Sequence, residues 1–257
     1  MNVLVTGGRG TLGRPTVRTL EAAGHTVTIT TRRPSTETSG STEVRFDLAS
    51  GDGAQEAVAG QQVIVHIASD TDRLGRADVA GTRALLAAAE AADVEHVVYI
   101  SIVGCDEIPF RYYKIKTAVE RDIAASPLPH TTLRTTQYHE FAALLARRLS
   151  KTYVTFIPKN VRFQSLDSEV AASRLATLAA AEPQGRVDDL GGPEAHLLSD
   201  LVEQYLTGVG KPRPVVAVPL FGAAYHGFAA GKNLTPEHAD DSGLTWDGWL
   251  QQHAADG

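Results

Sequence analysis

Tyr112 and Lys116 stand one helical turn apart in the run Tyr112-Tyr113-Lys114-Ile115-Lys116, and side chains at that spacing share a helix face. An ammonium beside a phenol favours the phenolate and lowers the phenol's pKa from its usual value of about 10, which makes a proton donor that works near neutrality. Tyr113 lacks such a partner, because Thr117 occupies the equivalent place one turn on. By itself the pattern also fits an ordinary amphipathic helix with a surface lysine. A second set of residues gives it meaning: the turn Thr6-Gly7-Gly8-Arg9-Gly10-Thr11-Leu12-Gly13 near the start of the chain.

That turn suits a pyrophosphate, which must sit against backbone N–H groups at a helix N-terminus, where unsatisfied donors and the positive dipole end face it. Gly7 permits a tight turn, Gly10 lets the backbone approach the phosphates, and Gly13 lets the helix pack close to the first strand. Arg9, Thr11 and Leu12 complete the set of expected dinucleotide contacts here. The spacing Gly-x-x-Gly-x-x-Gly differs from the more widespread Gly-x-Gly-x-x-Gly. Its context is the required one, since it follows the apolar stretch ending at Val5, precedes Val17 and Leu20, and is succeeded by a second strand at Thr26-Val27-Thr28-Ile29.

The elements that must position these groups alternate between apolar strands and helical stretches. Strands are expected near Asn2 to Val5, Thr26 to Thr30, Glu43 to Phe46, Val63 to Ile67, Val97 to Ser101 and Thr131 to Arg134. Helices are expected near Leu12 to Ala23, Gly53 to Val58, Arg76 to Ala92, Tyr112 to Ala125 and Tyr138 to Leu149. This is the pattern of βαβ units with right-handed crossovers, so the fold class is α/β, a Rossmann-type doubly wound parallel sheet. Beyond Ser150 the alternation loosens into short strands (Tyr153 to Ile157, Val215 to Val218) and helices (Glu169 to Ala181, Ser199 to Leu206, Phe221 to Gly231) among many prolines and glycines. The expected division is therefore a dinucleotide-binding domain over 1–150 and a smaller C-terminal substrate lobe over 151–257, packed as one unit with the first. A polar loop runs from Arg33 to Ser41.

In such a sheet ligands bind outside the carboxyl ends of the strands. After the second strand, Arg32 and Arg33 stand where an NAD enzyme offers an acid, and two cations suit the 2′-phosphate of NADP(H); the alternative is a solvated basic turn. NADP(H) is thus the preferred cofactor, with NAD(H) possible. After the third, Asp47 and Leu48 suit the adenine amino group and ring, Asp47 serving equally well as a helix cap. After the fourth, Ala68 and Ser69 are small enough to lie against the cofactor, His66 reads as buried and satisfied, and Thr71 and Asp72 turn the chain. Thr135 follows the sixth strand beside the nicotinamide, with Tyr138 and His139 toward a substrate; His139 either meets a substrate oxygen or is a structural histidine. Cys105 has no base assigned to it, and no His/Cys cluster has metal-ligand spacing.

Hydrophobic residues make up 43% and charged residues 21% of the chain, and no apolar run approaches bilayer length, so a membrane partner is not expected. A net charge of −6 argues against a nucleic-acid-binding surface and leaves small-molecule chemistry. The single cysteine excludes an intrachain disulfide, and a first strand beginning almost at Met1 leaves no room for a signal peptide, which together point to the cytoplasm.

Taken with Tyr99-Ile100-Ser101-Ile102-Val103-Gly104, Leu133-Arg134-Thr135-Thr136-Gln137-Tyr138-His139, Asp189-Leu190-Gly191-Gly192-Pro193-Glu194 and Val218-Pro219-Leu220, these motifs resemble the atypical short-chain dehydrogenase/reductases of the NmrA-like group along the whole chain. The resemblance implies a Rossmann domain, a small C-terminal lobe and a pocket between them. Some members of that group reduce quinones, alkenes or carbonyl groups, some tailor aromatic polyketides, and others have lost the tyrosine and act as dinucleotide-binding redox sensors with a protein partner. Retention of Tyr112 and Lys116 favours an enzyme. The expectation is an NADPH-dependent reductase of a carbonyl or quinone on a hydrophobic, polycyclic aromatic molecule. Tyr112 would be the acid, Lys116 would tune it and hold the nicotinamide ribose, and Ser101 would orient the substrate oxygen. Phe110, Tyr138, Phe141, Tyr225, Phe228 and Trp246 are candidates to line a flat cavity. The alternatives are a sensor, and a cofactor-dependent oxygenation or rearrangement of a reduced aromatic.

Overall fold

The computed structural model describes residues 1–33, 41–70 and 74–253. Thr71 and Asp72, and most of the expected polar loop after Arg33, lie outside the described residues.

The first elements in chain order are β1 (Asn2–Thr6), α1 (Gly13–Ala22), β2 (Thr26–Thr31), β3 (Thr42–Arg45), α2 (Ala54–Val58), β4 (Val63–His66), α3 (Asp78–Ala91), β5 (His96–Ile102), α4 (Arg111–Ala125), β6 (His130–Thr135) and α5 (His139–Leu149). Every strand and helix read from this stretch of sequence is present, with ends displaced by one or two residues. With β9 (Gly185–Arg186) the strands form a seven-stranded sheet in the order β3-β2-β1-β4-β5-β6-β9. The pairings of β1 with β2 and β4, β2 with β3, β4 with β5, and β6 with β9 are parallel.

A parallel sheet is buried on both faces, which is why β4 reads Val63-Ile64-Val65-His66 with no exposed residue. Leu4, Ile64, Val97 and Tyr99 share one face and pack against Leu85, Ala89, Val119 and Ile123 of α3 and α4. The chain leaves β1 toward one edge of the sheet and restarts at β4 on the other side of β1. Right-handed crossovers running in opposite directions put their helices on opposite faces, so α1, buried through Val17 and Leu20, lies against β1 and β2 on the other side. The gap between β1 and β4 is the topological switch point, where this architecture binds ligands.

The two compact units do not divide at residue 150. One comprises Met1–Ser101, Arg111–Arg134 and Ala171–Asp188; the other comprises Ile102–Phe110, Thr135–Val170 and Asp189–Gly257. The sequence reading placed α5 in the first unit and the helix α6 (Ser168–Ala180) in the second. Instead α5 packs with later elements, and most of α6 returns to the sheet unit with β9 as its last strand. Chain order misleads here because burial of an amphipathic helix is decided by the apolar face that it finds, not by its neighbours in sequence.

The second unit is built from α5, β7 (Thr155–Pro158), β8 (Arg162–Phe163), β10 (His196–Leu197), α7 (Leu198–Gly208), β11 (Val215–Val218), α8 (Ala223–Ala229), a 3-10 turn at Pro236–His238 and α9 (Trp246–His253). Parallel β7–β11 and antiparallel β8–β10 ladders flank a core of Ala142, Ala146, Leu201, Val202, Trp246 and Trp249. The helix α9, absent from the sequence reading, closes that core with Trp246 stacked on Trp249 at 5.5 Å. Among the described residues no helix is long and apolar enough to cross a membrane.

Two polar anchors hold the sheet unit. Arg134 in β6 makes a bidentate pair with Glu120 of α4 (Nε–Oε1 2.7 Å, Nη2–Oε2 2.6 Å), with side chains only 7% and 13% exposed. His66 at the end of β4 is buried, with Nδ1 2.7 Å from Thr6 Oγ1 and Nε2 2.9 Å from Thr82 Oγ1. Burial, reinforced by the Lys116 charge, pushes its pKa down to about 3.

Glu120→Ala leaves the buried guanidinium without its carboxylate and should lower unfolding free energy by about 3 kcal/mol, while replacing both partners by apolar residues should lose less; urea denaturation checks both. His66 makes stability acid-sensitive: below 6.5 the unfolded imidazole takes a proton that the folded one refuses until about 3. Stability should therefore fall across that window, with a slope approaching roughly 1.4 kcal/mol per pH unit. In His66→Gln the slope between pH 6 and 4 should be shallower than in wild type by that amount.

Candidate functional site

The turn after β1 is shaped by close approach. Gly7 has φ +71°, a left-handed conformation, and the amide of Gly10 donates to its carbonyl at 2.9 Å. A Cβ on Gly13 would fall 2.1 Å from that same carbonyl oxygen, so any side chain there would drive α1 off the turn. Gly8, which the sequence reading passed over, is needed too: its Cβ would lie 2.6 Å from Ile29 Cγ2. Arg14 braces the turn by donating from Nε to the Arg9 carbonyl at 3.0 Å.

In the first turn of α1 Pro15 has no N–H, and the amides of Arg14 and Thr16 donate to the carbonyls of Gly10 (3.1 Å) and Leu12 (3.2 Å), so the donors that this helix start can offer a ligand are those ahead of them, on Thr11, Leu12 and Gly13; Leu12 at the N-cap position supplies no side-chain cap. Thr11 is exposed, whereas the Leu12 side chain is buried and leaves only its backbone for a ligand. These amides, at the positive end of α1 in a turn with glycine at 7, 8, 10 and 13, fit a pyrophosphate.

Across the switch point, β4 brings Ala68 and Ser69 to this turn. The backbone of Ala68 lies 3.0 Å from where a Gly7 Cβ would be. Thr6 fixes the approach, its hydroxyl accepting from the amides of Ile67 (3.0 Å) and Ala68 (3.1 Å). With both acceptor positions used, its proton goes to His66 Nδ1, so His66 carries its own proton on Nε2 and donates it to Thr82.

Ser69 connects the turn to α4. Its hydroxyl donates to Asp78 Oδ2 at 2.5 Å and lies 2.8 Å from the Tyr112 hydroxyl. Asp78, buried at the start of α3, accepts the Asp70 amide on its other oxygen at 2.7 Å. Because the single Ser69 proton is committed to a carboxylate, the Tyr112 phenol is the donor in the Tyr112–Ser69 bond. The sequence reading did not find Asp78; its only signal was an acid at the helix start, which is indistinguishable from ordinary dipole pairing.

The expected tuning of Tyr112 by Lys116 is corrected by this geometry. Burial is the main influence on the phenol and Asp78 adds to it, outweighing the Ser69 hydrogen bond and pushing its pKa up to about 12. Lys116 is buried, donates from Nζ to the Ile100 carbonyl at 2.8 Å and sits 4.3 Å over the Tyr99 ring. Helical spacing gave both side chains one face, but the ammonium turned into the sheet while the phenol turned to the β4 loop. Ser101 is buried in β5, one residue before the end of the strand, and the serine seen on the phenol is Ser69.

On the adenosine side, Arg32 and Arg33 are exposed, the Arg33 amide donating to Thr31 Oγ1. Arg9 is engaged elsewhere: its Nε and Nη2 grip Glu43 of β3 at 2.5 to 3.0 Å. Asp47 caps no helix, because α2 opens at Ala54 behind Gly53; its Oδ1 accepts the Ala49 amide at 2.9 Å in a local turn. Leu48 packs onto α3, where a Cβ on Gly81 would meet its carbonyl oxygen and side chain.

The other expected substrate contacts belong to the second unit. Thr135 Oγ1 and the Tyr138 hydroxyl are 2.9 Å apart. His139 is corrected to a structural role: it is fully buried, with Nδ1 2.9 Å from Ser165 Oγ and Nε2 2.8 Å from the Leu244 carbonyl, and burial pushes its pKa down. Phe110 meets Phe228 edge-on at 6.2 Å, and Cys105 is buried.

Comparison with known proteins agrees with this geometry. The family model described as NAD(P)H-binding matches residues 7–153. The chain is 27% identical to the 2-alkyl-3-oxoalkanoate reductase of Stenotrophomonas maltophilia, covering 92% of this chain and 84% of that one. It is 24% identical to a photosystem II assembly factor of Trieres chinensis, covering 86% and 73%. The NADPH-dependent quinone oxidoreductase of Escherichia coli, solved with NADPH, superposes with a TM-score of 0.79 at 18% identity over 97% of this chain and 99% of that one. With more than half of its length matched and a glycine turn built for a pyrophosphate at the switch point, the chain belongs to the NAD(P)H-binding family.

Proposed function

We propose that the protein is an NADPH-dependent reductase acting on a carbonyl group of a hydrophobic small molecule, with ketones preferred to quinones and flat polycyclic ketones of polyketide type the first class to test. The observation that carries this reading is the Tyr112 hydroxyl, held 2.8 Å from Ser69 one residue beyond the Ala68 contact with the dinucleotide turn. The reduced nicotinamide, when bound, supplies a hydride. Tyr112 gives its proton to the oxygen that receives the resulting negative charge, releasing Ser69, which stays on Asp78. Lys116 ties α4 to β5 through Ile100 and so fixes the register from which the phenol projects. Ser101 is proposed to orient the substrate oxygen.

The raised pKa of the phenol supports a ketone. An alkoxide is a stronger base than a phenolate of pKa about 12 and takes its proton readily. A reduced quinone is itself a phenolate and gains little from so weak an acid. The name of the Stenotrophomonas relative, an oxoalkanoate reductase, points the same way; that of the Escherichia coli structure points to quinones, which belong in the same assay.

Single-turnover oxidation of NADPH against a panel of ketones and quinones tests the reading. Tyr112→Phe should slow ketone reduction by roughly 10²-fold while dinucleotide affinity is unchanged. Asp78→Asn removes the charge that helps hold the phenol's pKa up, so the alkaline limb of the rate should move to lower pH. A wild-type rate in Tyr112→Phe would show that the tyrosine only packs; cofactor binding without turnover of any substrate would favour a sensor.

A further inference from the structure

The Arg9–Glu43 pair lies where the dinucleotide turn meets the edge of the sheet. Arg9 sits inside the glycine-rich turn, between Gly8 and Gly10, and its guanidinium is half exposed. It leans away from the turn onto Glu43 of β3, which is paired in register with Ile29 of β2. The contact is side-on, with Nε and Nη2 both used and Nη2 reaching both carboxylate oxygens. Around it opens a cleft of about 300 Å³ whose lining includes Arg14, Arg18 and Ser41 besides Arg9 and Glu43. In this fold the end of β2 is where the adenosine ribose is read, an acid there suiting a free 2′-hydroxyl and a cation a 2′-phosphate. No acid follows β2 in the sequence up to Arg33, but tertiary structure brings one in from the neighbouring strand.

We propose that Glu43 competes with the 2′-phosphate of NADP(H) for Arg9, and is thereby a residue that sets the preference between the two dinucleotides. Arg9 has one guanidinium and two anionic partners of similar geometry. Engaging a 2′-phosphate bidentately means withdrawing that edge from Glu43, and leaves a carboxylate beside a phosphate. A 2′-hydroxyl makes no such demand, so NADH binds with the pair intact. Glu43 thereby opposes the preference for NADPH expected from Arg32 and Arg33. The proposal rests on the reading that the dinucleotide lies on the glycine turn.

The test needs no substrate. Affinities of NADPH, NADH, 2′,5′-ADP and 5′-AMP are measured by calorimetric titration of the full chain, in wild type, Glu43→Gln and Glu43→Ala. Both variants should bind NADPH and 2′,5′-ADP about tenfold more tightly, the scale of a charge-assisted contact regained, with NADH and 5′-AMP unchanged. Glu43→Gln is close to isosteric at a partly exposed position, and its thermal unfolding confirms that the comparison is between folded proteins. An unchanged NADPH to NADH ratio in both variants overturns the proposal, and so does an equal gain for all four ligands, which would place the effect on the shared phosphate and not on the 2′ position. Failure of wild type to bind either dinucleotide would instead overturn the placement of the cofactor on the turn.

Discussion

One hydroxyl, that of Thr6, holds the switch point together. It ends β1, accepts two amides from the chain leaving β4, and donates to His66, which passes a hydrogen bond on to Thr82 of α3. The β1–β4 ladder runs up to Thr6 and His66, and this hydroxyl carries the approach beyond it, to the backbone of Ala68 beside Gly7. The network works only while His66 is neutral, because a protonated ring would present a donor to the Thr6 proton. Burial at the centre of the sheet secures that neutrality. A fully satisfied buried network of this kind specifies one arrangement, since each member left unpaired is expensive in a low dielectric.

Everything assigned to chemistry hangs from that junction. Ala68 abuts the dinucleotide turn, Ser69 follows it and takes the Tyr112 phenol, and Asp78 fixes Ser69 from the start of α3. The phenol thus meets the loop after β4, while Lys116, on the same helix, reaches the Ile100 carbonyl of β5. The difference matters for the reaction. A phenol flanked by an ammonium is an acid for neutral conditions, whereas one held near a carboxylate is a weak acid suited to a strongly basic oxygen.

The same logic of shared partners governs the adenosine side. Cations near the glycine turn do not by themselves define a phosphate site, because a carboxylate within reach takes one of them first. Arg9 illustrates this: its guanidinium, inside the glycine turn, is already held by Glu43 of the neighbouring strand.

The order of strands and helices, the parallel sheet and the glycine turn were legible in the sequence because each rests on local pattern. A strand buried on both faces must be an apolar run, a crossover helix must have an apolar stripe, and Gly7 and Gly13 stand where backbone geometry forbids a side chain. What the sequence could not decide was which side chains meet. Tyr112 and Lys116 share a helix face by spacing, yet one turned to Ser69 and the other to Ile100. Asp78 and Glu43 reach their partners across Ser69 and Arg9 from other elements of the fold. The interleaving of the two units, with α6 returning to the sheet unit and α5 leaving it, was equally invisible. Spacing along a chain fixes direction within one element; contact between elements depends on packing, and only the folded chain settles it.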